Sequence, residues 1–274
     1  MPRLIRFRDL EPTWTTKQAR EAGFMRWLVT WVGGPLGYIN TNPEVAVEND
    51  RIAIGMMYLP RGQRQAGVHT HEVTEIYVIL QGELEGIDAS GHPHRAGPLD
   101  CTYIPPGCPH GVRNSGMEDV VLIWVHDGIE RNGTAVYYPD DHAFGDVPPI
   151  QLVPFSGLEA DWSDPGAQTP GTMRWSTRWV QAGGGAMARG AARNDRISIG
   201  MTVLEPGHAM PADVLPVTRH YLVVAGCGIA RLDGTNELLT WLDGIYVPAG
   251  EAVSIRNNGP ETLRLLWVED APRG

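Results

Sequence analysis

Two histidines, a glutamate and a third histidine stand where ligands to one metal ion would be expected. His69 and His71 open the stretch HTHEVTEIYVILQG. On a strand, residues i and i+2 share a face about 6.6 Å apart, a gap that two imidazoles with bonds of about 2.0–2.1 Å to a common ion would fit. Glu75 has the same parity. A tight bend over Glu72 to Thr74 that carries Glu75 onto the next strand would also bring its carboxylate to the imidazoles. His110 is the candidate fourth ligand: it begins a strand after the turn Pro105, Pro106, Gly107 in GPLDCTYIPPGCPHGVRN, with Asn114 four residues further on.

The elements around these residues read as strands. The apolar runs RIAIGMMYL, EIYVILQG, DVVLIWV and HYLVVAG are short and β-branched, and 33 glycines and 22 prolines punctuate them. Short strands between turn signals point to an all-β sandwich or barrel. With 42% hydrophobic and 20% charged residues, the chain has a globular composition. No window approaches the roughly 20 apolar residues of a membrane helix. The opening MPRLIRFRDLEPTW breaks into charge too soon for a secretory signal, so a cytoplasmic protein is expected. A net charge of −10 disfavours nucleic acid and anionic membrane as partners. Cys101, Cys108 and Cys227 have no paired spacing and are expected to be free thiols.

The chain also repeats itself. LEPTWTTKQAREAGFMRWLVTWV (10–32) matches LEADWSDPGAQTPGTMRWSTRWV (158–180) at an offset of 148. NDRIAIGM then matches NDRISIGM, YVILQG matches YLVVAG, and YIPPG matches YVPAG. Such a chain is a tandem duplication of one β unit, with the boundary expected close to Pro149, dividing 1–149 from 150–274. Differences between the copies suggest the inward faces. Ala53/Ser198, Met57/Thr202 and Val121/Arg264 read as outward positions, because strand side chains alternate. That leaves Ile52, Ile54, Met56 and Tyr58, with Val120, Leu122, Trp124 and His126, pointing into the barrel.

At these motifs the first half resembles the cupin superfamily. GVHTHEVTEIYVILQG is similar to that family's first motif, and GPLDCTYIPPGCPHGVRN to its second. One spacing departs: Gly62 lies seven residues before His69, where the family has six. The resemblance implies a bicupin of two jelly-roll barrels, one divalent metal on His69, His71, Glu75 and His110, and dimerisation through paired barrels. A three-imidazole, one-carboxylate set suits Fe, Mn, Ni, Cu, Co or Zn and leaves positions open. The second half has lost the set. Asp213 aligns with His69, Leu215 with His71, Arg219 with Glu75 and Val253 with His110, while Asn257 keeps the place of Asn114. His208 and His220 lack ligand spacing and read as ordinary polar residues. The C-terminal barrel is thus expected to be metal-free and structural.

Around the metal, the expected lining is Met56, Tyr58 and Trp124, with Tyr77, Tyr103 and His126 as candidate catalytic groups. His126 is the best placed of these, since a non-ligand histidine titrates near neutrality. The leading expectation is an iron-type dioxygenase acting on a phenolic or enol small molecule with O2. Cupin dioxygenases that retain the glutamate include flavonol-cleaving bicupins, whereas gentisate-type bicupins generally lack it. The alternatives are a Mn, Ni or Zn Lewis-acid isomerase, lyase, hydrolase or decarboxylase, and a non-catalytic ligand-binding or storage bicupin.

Overall fold

The computed structural model describes residues 1–14, 23–88, 93–131, 133–139, 141–183 and 186–270; positions 15–22 of the first repeat copy lie outside them. The chain is all-β apart from three 3-10 turns among the described residues. It divides into two compact units, Leu10–Ser156 and Gly157–Gly274 together with Met1–Asp9. No helix of the described residues is long and apolar enough to cross a membrane.

In the first unit the larger sheet has the order Gln151–Val153, Cys101–Ile104, Glu75–Gln81, Val120–His126, Ala53–Leu59, Trp27–Gly33, Thr13–Trp14, and Val47–Glu48 pairs with Trp27–Gly33. The smaller sheet runs Val136–Tyr137, His69–Thr70, His110–Arg113, Leu84–Asp88, Pro93–Ala96. Met57, Leu59, Tyr77, Ile79 and Leu122 of one sheet pack with Leu84 and Val112 of the other to form the core. The second unit has the same plan, with seven strands in one sheet and four in the other.

The boundary near Pro149 needs correction. Gln151–Val153 pairs antiparallel with Cys101–Ile104 and so completes the first unit, while Arg3–Ile5 pairs with Gly244–Val247 in the second. Three-residue edge strands carry too little alternation to be placed from sequence.

The inward face of Ala53–Leu59 was also misread. Met57 and Leu59 belong to the core, and the register sets Leu122 against Met57 and Trp124 against Gly55. Met56 is buried on the opposite face. Tyr58 shares that face, stacks on Trp27 with ring centroids 5.0 Å apart and donates its hydroxyl to Asp119. The Met57/Thr202 difference misled because Thr202 lines an interior cavity of the second unit. Polarity there marks a cavity wall, not the outer face.

Both units use one device to seat their central tryptophan. A Cβ on Gly55 would lie 2.1 Å from Trp124 Cζ2, and one on Gly200 would lie 2.3 Å from Trp267 Cζ2. Only glycine lets the indole cross the neighbouring strand so closely. The loop asparagines correspond too: Asn114 Nδ2 donates to Leu59 O and Glu118 O, and Asn257 Nδ2 to Leu204 O and Glu261 O.

Candidate metal centre

The bend at Glu72 to Thr74 is the alternative that the chain adopts. His69–Thr70 lies in the smaller sheet and Glu75–Gln81 in the larger, so the turn between them carries Glu75 across the barrel to face the histidines. The antiparallel pairing sets His110 directly opposite His69. One ligand atom from each of His69, His71, Glu75 and His110 falls within 4.8 Å of all the others, and all four residues are buried.

The hydrogen bonds specify which nitrogens face the centre. His69 Nδ1 lies 3.3 Å from Gly67 O, His110 Nδ1 lies 2.9 Å from Cys108 O, and His71 Nδ1 lies 3.2 Å from both Glu130 oxygens. These partners only accept, so Nδ1 carries the proton in each neutral ring and Nε2 keeps its lone pair. His110 Nε2 then stands 2.8 Å, and His71 Nε2 3.3 Å, from Glu75 Oε2. Acceptors facing an acceptor in a buried site call for a cation between them, and the donor set fits a divalent transition metal.

Protonated imidazoles can supply that positive charge in place of a metal, and the pull between the groups is then as strong. Burial alone would raise the Glu75 carboxyl, but His71 and hydrogen bonds from His110, His126 and His71 outweigh it and hold the group well below the usual carboxylate range. Burial also opposes charge on His71, yet Glu75 and Glu130 lift it to about 10. His69 moves the other way, well below the ordinary value, through burial and the neighbouring His110.

His126 ends the strand Val120–His126 and pairs with Glu75 across the sheet, its Nε2 3.3 Å from Glu75 Oε1. Its Nδ1 is 2.8 Å from the Tyr38 hydroxyl, which donates to Glu130 Oε2 at 3.1 Å. Burial and the Glu130 charge push the Tyr38 phenol upward, so it stays protonated. Having given its proton to Glu130, the Tyr38 oxygen accepts from His126 Nδ1–H, which leaves the His126 Nε2 lone pair directed at the centre. Glu130 thus fixes His71 directly and His126 through Tyr38. Both residues escaped the sequence reading, because a loop glutamate and a tyrosine 88 residues from its partner carry no spacing signal.

A cavity of about 160 Å³ adjoins these groups, walled by residues that include Tyr77, Trp124 and His126, together with Arg26, Leu28, Ile39, Met57, Gln65 and Tyr137. Three buried polar atoms on its wall, Gln65 Oε1, Tyr77 OH and Trp124 Nε1, have no hydrogen-bond partner among the described residues. Tyr103 is not in this wall. It pairs with Ile76 and Gln151 on the face away from Glu75, and Thr102 and Ile104 take the inward positions. The strand is covered on both sides, so its sequence shows no polar alternation from which parity could be read.

In the second unit Leu215 occupies the place of His71, its carbonyl receiving Gly250 N as the His71 carbonyl receives Gly107 N. Val253 is core. His208 Nδ1 accepts from Met173 N, and His220 is buried against Tyr246. Neither belongs to a candidate ligand cluster among the described residues.

Residues 55–126 match the family described as Cupin domain, a span that holds all four candidate ligands and His126. A dimethylsulfoniopropionate lyase of Ruegeria pomeroyi is 28% identical over 121 residues, covering 41% of this chain and 60% of that protein, so the match spans less than two thirds of the lyase. A β-D-galactosidase of Mycobacterium tuberculosis is 35% identical over 79 residues, 28% of this chain and 67% of that one. Among solved structures, the salicylate 1,2-dioxygenase of Pseudaminobacter salicylatoxidans superposes with a TM-score of 0.62 at 17% identity, over 98% of this chain and 86% of that chain.

Proposed function

On the premise that this chain belongs to the cupin superfamily, we propose that its N-terminal barrel is a metal-dependent enzyme for a small carboxylate-bearing molecule, working by proton transfer as a lyase or isomerase. The observation that carries this reading is the Tyr38–His126–Glu130 chain beside the ligand set. His69, His71, Glu75 and His110 would hold one divalent transition metal. Such a metal, when bound, supplies Lewis-acid polarisation of a substrate oxygen or, if iron, dioxygen chemistry.

The chain's own groups supply the rest. His126 Nε2 presents its lone pair to the cavity side of Glu75 and is placed to take a proton from a substrate carbon. The charge then formed on the ring is shared through Nδ1–H and Tyr38 with Glu130, which keeps the ring oriented as it is loaded. Arg26, the one arginine or lysine among the described wall residues, offers a fork for a carboxylate. Gln65 Oε1, Tyr77 OH and Trp124 Nε1 are left to bond polar atoms of the substrate, since buried polar groups require partners. A cavity of about 160 Å³ admits a molecule smaller than those of typical drug-sized sites.

The dioxygenase reading keeps support from the largely aromatic and apolar wall of Leu28, Ile39, Met57, Tyr77 and Trp124. Turnover of short β-substituted and enolisable carboxylates under strict anaerobiosis separates the two. Full-rate turnover without oxygen supports the lyase or isomerase, whereas oxygen uptake in step with substrate loss contradicts it. The homodimer implied by the resemblance belongs to the same proposal, and light scattering of the purified chain tests it.

A further inference from the structure

The C-terminal barrel was expected to be structural only, yet its apolar core leaves a polar-walled space beside it. This cleft has a volume of about 490 Å³ and opens past the exposed residues Asp164, Pro211 and Asp213; it is about three times the volume beside the metal centre and within the range of small-molecule sites. Its wall is the metal-centre wall rewritten. Glu75 becomes Arg219, held by Glu269 at the register place of His126, and Leu28 and Met57 become Ser176 and Thr202.

These polar groups are built into a network. Arg219 is paired to Glu269 through Nε and Nη2 and donates from Nη1 to Tyr221 at 2.8 Å. Arg174 donates to Asp164, Arg178 lies 3.2 Å from Asp161, and the Ser176 and Thr202 hydroxyls are 2.9 Å apart. The first unit shows that this scaffold accepts leucine and methionine at the last two positions. These ion pairs are partly exposed, where such pairs contribute little to stability, and an unfilled cavity costs stability. A barrel kept only for support would have closed this space.

We propose that the cavity is a second, metal-independent binding site, and that its ligand is a neutral polyhydroxylated molecule, a monosaccharide or cyclic polyol. The three wall arginines are paired with Asp161, Asp164 and Glu269, and Asp213 adds a further carboxylate to the wall, so the wall offers an anion no net attraction. What it does offer is donors and acceptors side by side, in guanidinium–carboxylate pairs and hydroxyls, which suits hydroxyl groups that donate and accept at once.

Saturation-transfer NMR and calorimetry on the full chain, with galactose, glucose and myo-inositol as probes and succinate and citrate as controls, test the proposal. Saturable binding of at least one neutral probe is expected, with neither control competing. The double variant Ser176→Leu, Thr202→Met installs the first unit's own residues and should weaken that binding about tenfold or more, as expected for losing one or more hydrogen bonds. Metal content of the first barrel should stay unchanged and the thermal transition should not fall, which separates this outcome from misfolding. Arg178→Leu is the second variant, with the same expectation. Binding of succinate or citrate in place of the neutral probes, no binding of any neutral probe, or binding untouched in both variants overturns it.

Discussion

Replacing Glu130 by glutamine keeps the size of the side chain and removes the acceptor that orients two imidazoles. The carboxylate accepts from Glu72 N at 2.6 Å, Tyr38 OH at 3.1 Å and His71 Nδ1 at 3.2 Å. Glutamine retains one acceptor oxygen, and its amide nitrogen can only donate, so at least one of these donors loses its partner. A hydrogen bond to an ionised group contributes about 1.5–3 kcal/mol. Loss of about 2 kcal/mol at His71 corresponds to roughly 30-fold weaker metal binding, inside the 10–100-fold range typical of residues that orient metal-bound histidines. Competition of the purified chain against a fluorescent chelator for Zn²⁺ or Mn²⁺, at fixed pH, measures this directly. Tyr38→Phe is the companion variant: it leaves the His71–Glu130 contact intact, so metal affinity should hold while turnover falls. A Glu130→Gln chain that binds metal within about threefold of the parent would refute the orienting role.

Other consequences follow from the same geometry. His126→Phe should retain metal yet lose about 10²–10⁴ in turnover, the usual contribution of a general base; retained turnover at the parent rate speaks against it. Gly55→Ala forces a Cβ to 2.1 Å from Trp124 and should destabilise the first unit by about 1–3 kcal/mol, read as a lower denaturation midpoint. His220 is fully buried, and burial lowers its pKa from 6.5 to about 3. The folded state keeps the ring neutral while the unfolded chain takes up a proton below pH 6.5. Stability attributable to this residue therefore falls by about 2 kcal/mol from pH 7 to pH 5. Urea titrations of His220→Phe should show that much less pH dependence than the parent, and an unchanged slope would count against the assignment.

How much of this was legible beforehand depended on what each residue's signal was. The four candidate ligands and His126 could be read because strand parity and motif spacing tie them to one another. The duplication was legible because whole segments repeat in register, and the loss of ligands at Leu215, Arg219 and Val253 followed from it. Met56, Tyr58 and Tyr103 were misplaced because the larger sheet is largely buried on both faces, so hydrophobicity does not distinguish inside from outside, and for the first two the polar Thr202 in the other copy pointed the wrong way. Tyr38, Glu130, Gln65 and Arg26 act through tertiary proximity between distant segments, which no local pattern encodes. The polar wall in the second barrel was present in the sequence as Thr202, which read as outward, and as Arg219, which read only as a lost ligand.

Metal analysis of the full chain, purified without chelators, bears most directly on the N-terminal barrel as the working half. Elemental measurement should give one transition metal per chain, lost in His110→Ala and in Glu75→Ala and retained when Arg219 of the second barrel is changed to leucine. No bound metal in the parent, or a content unaffected by both first-barrel changes, would contradict it, as would two metals per chain.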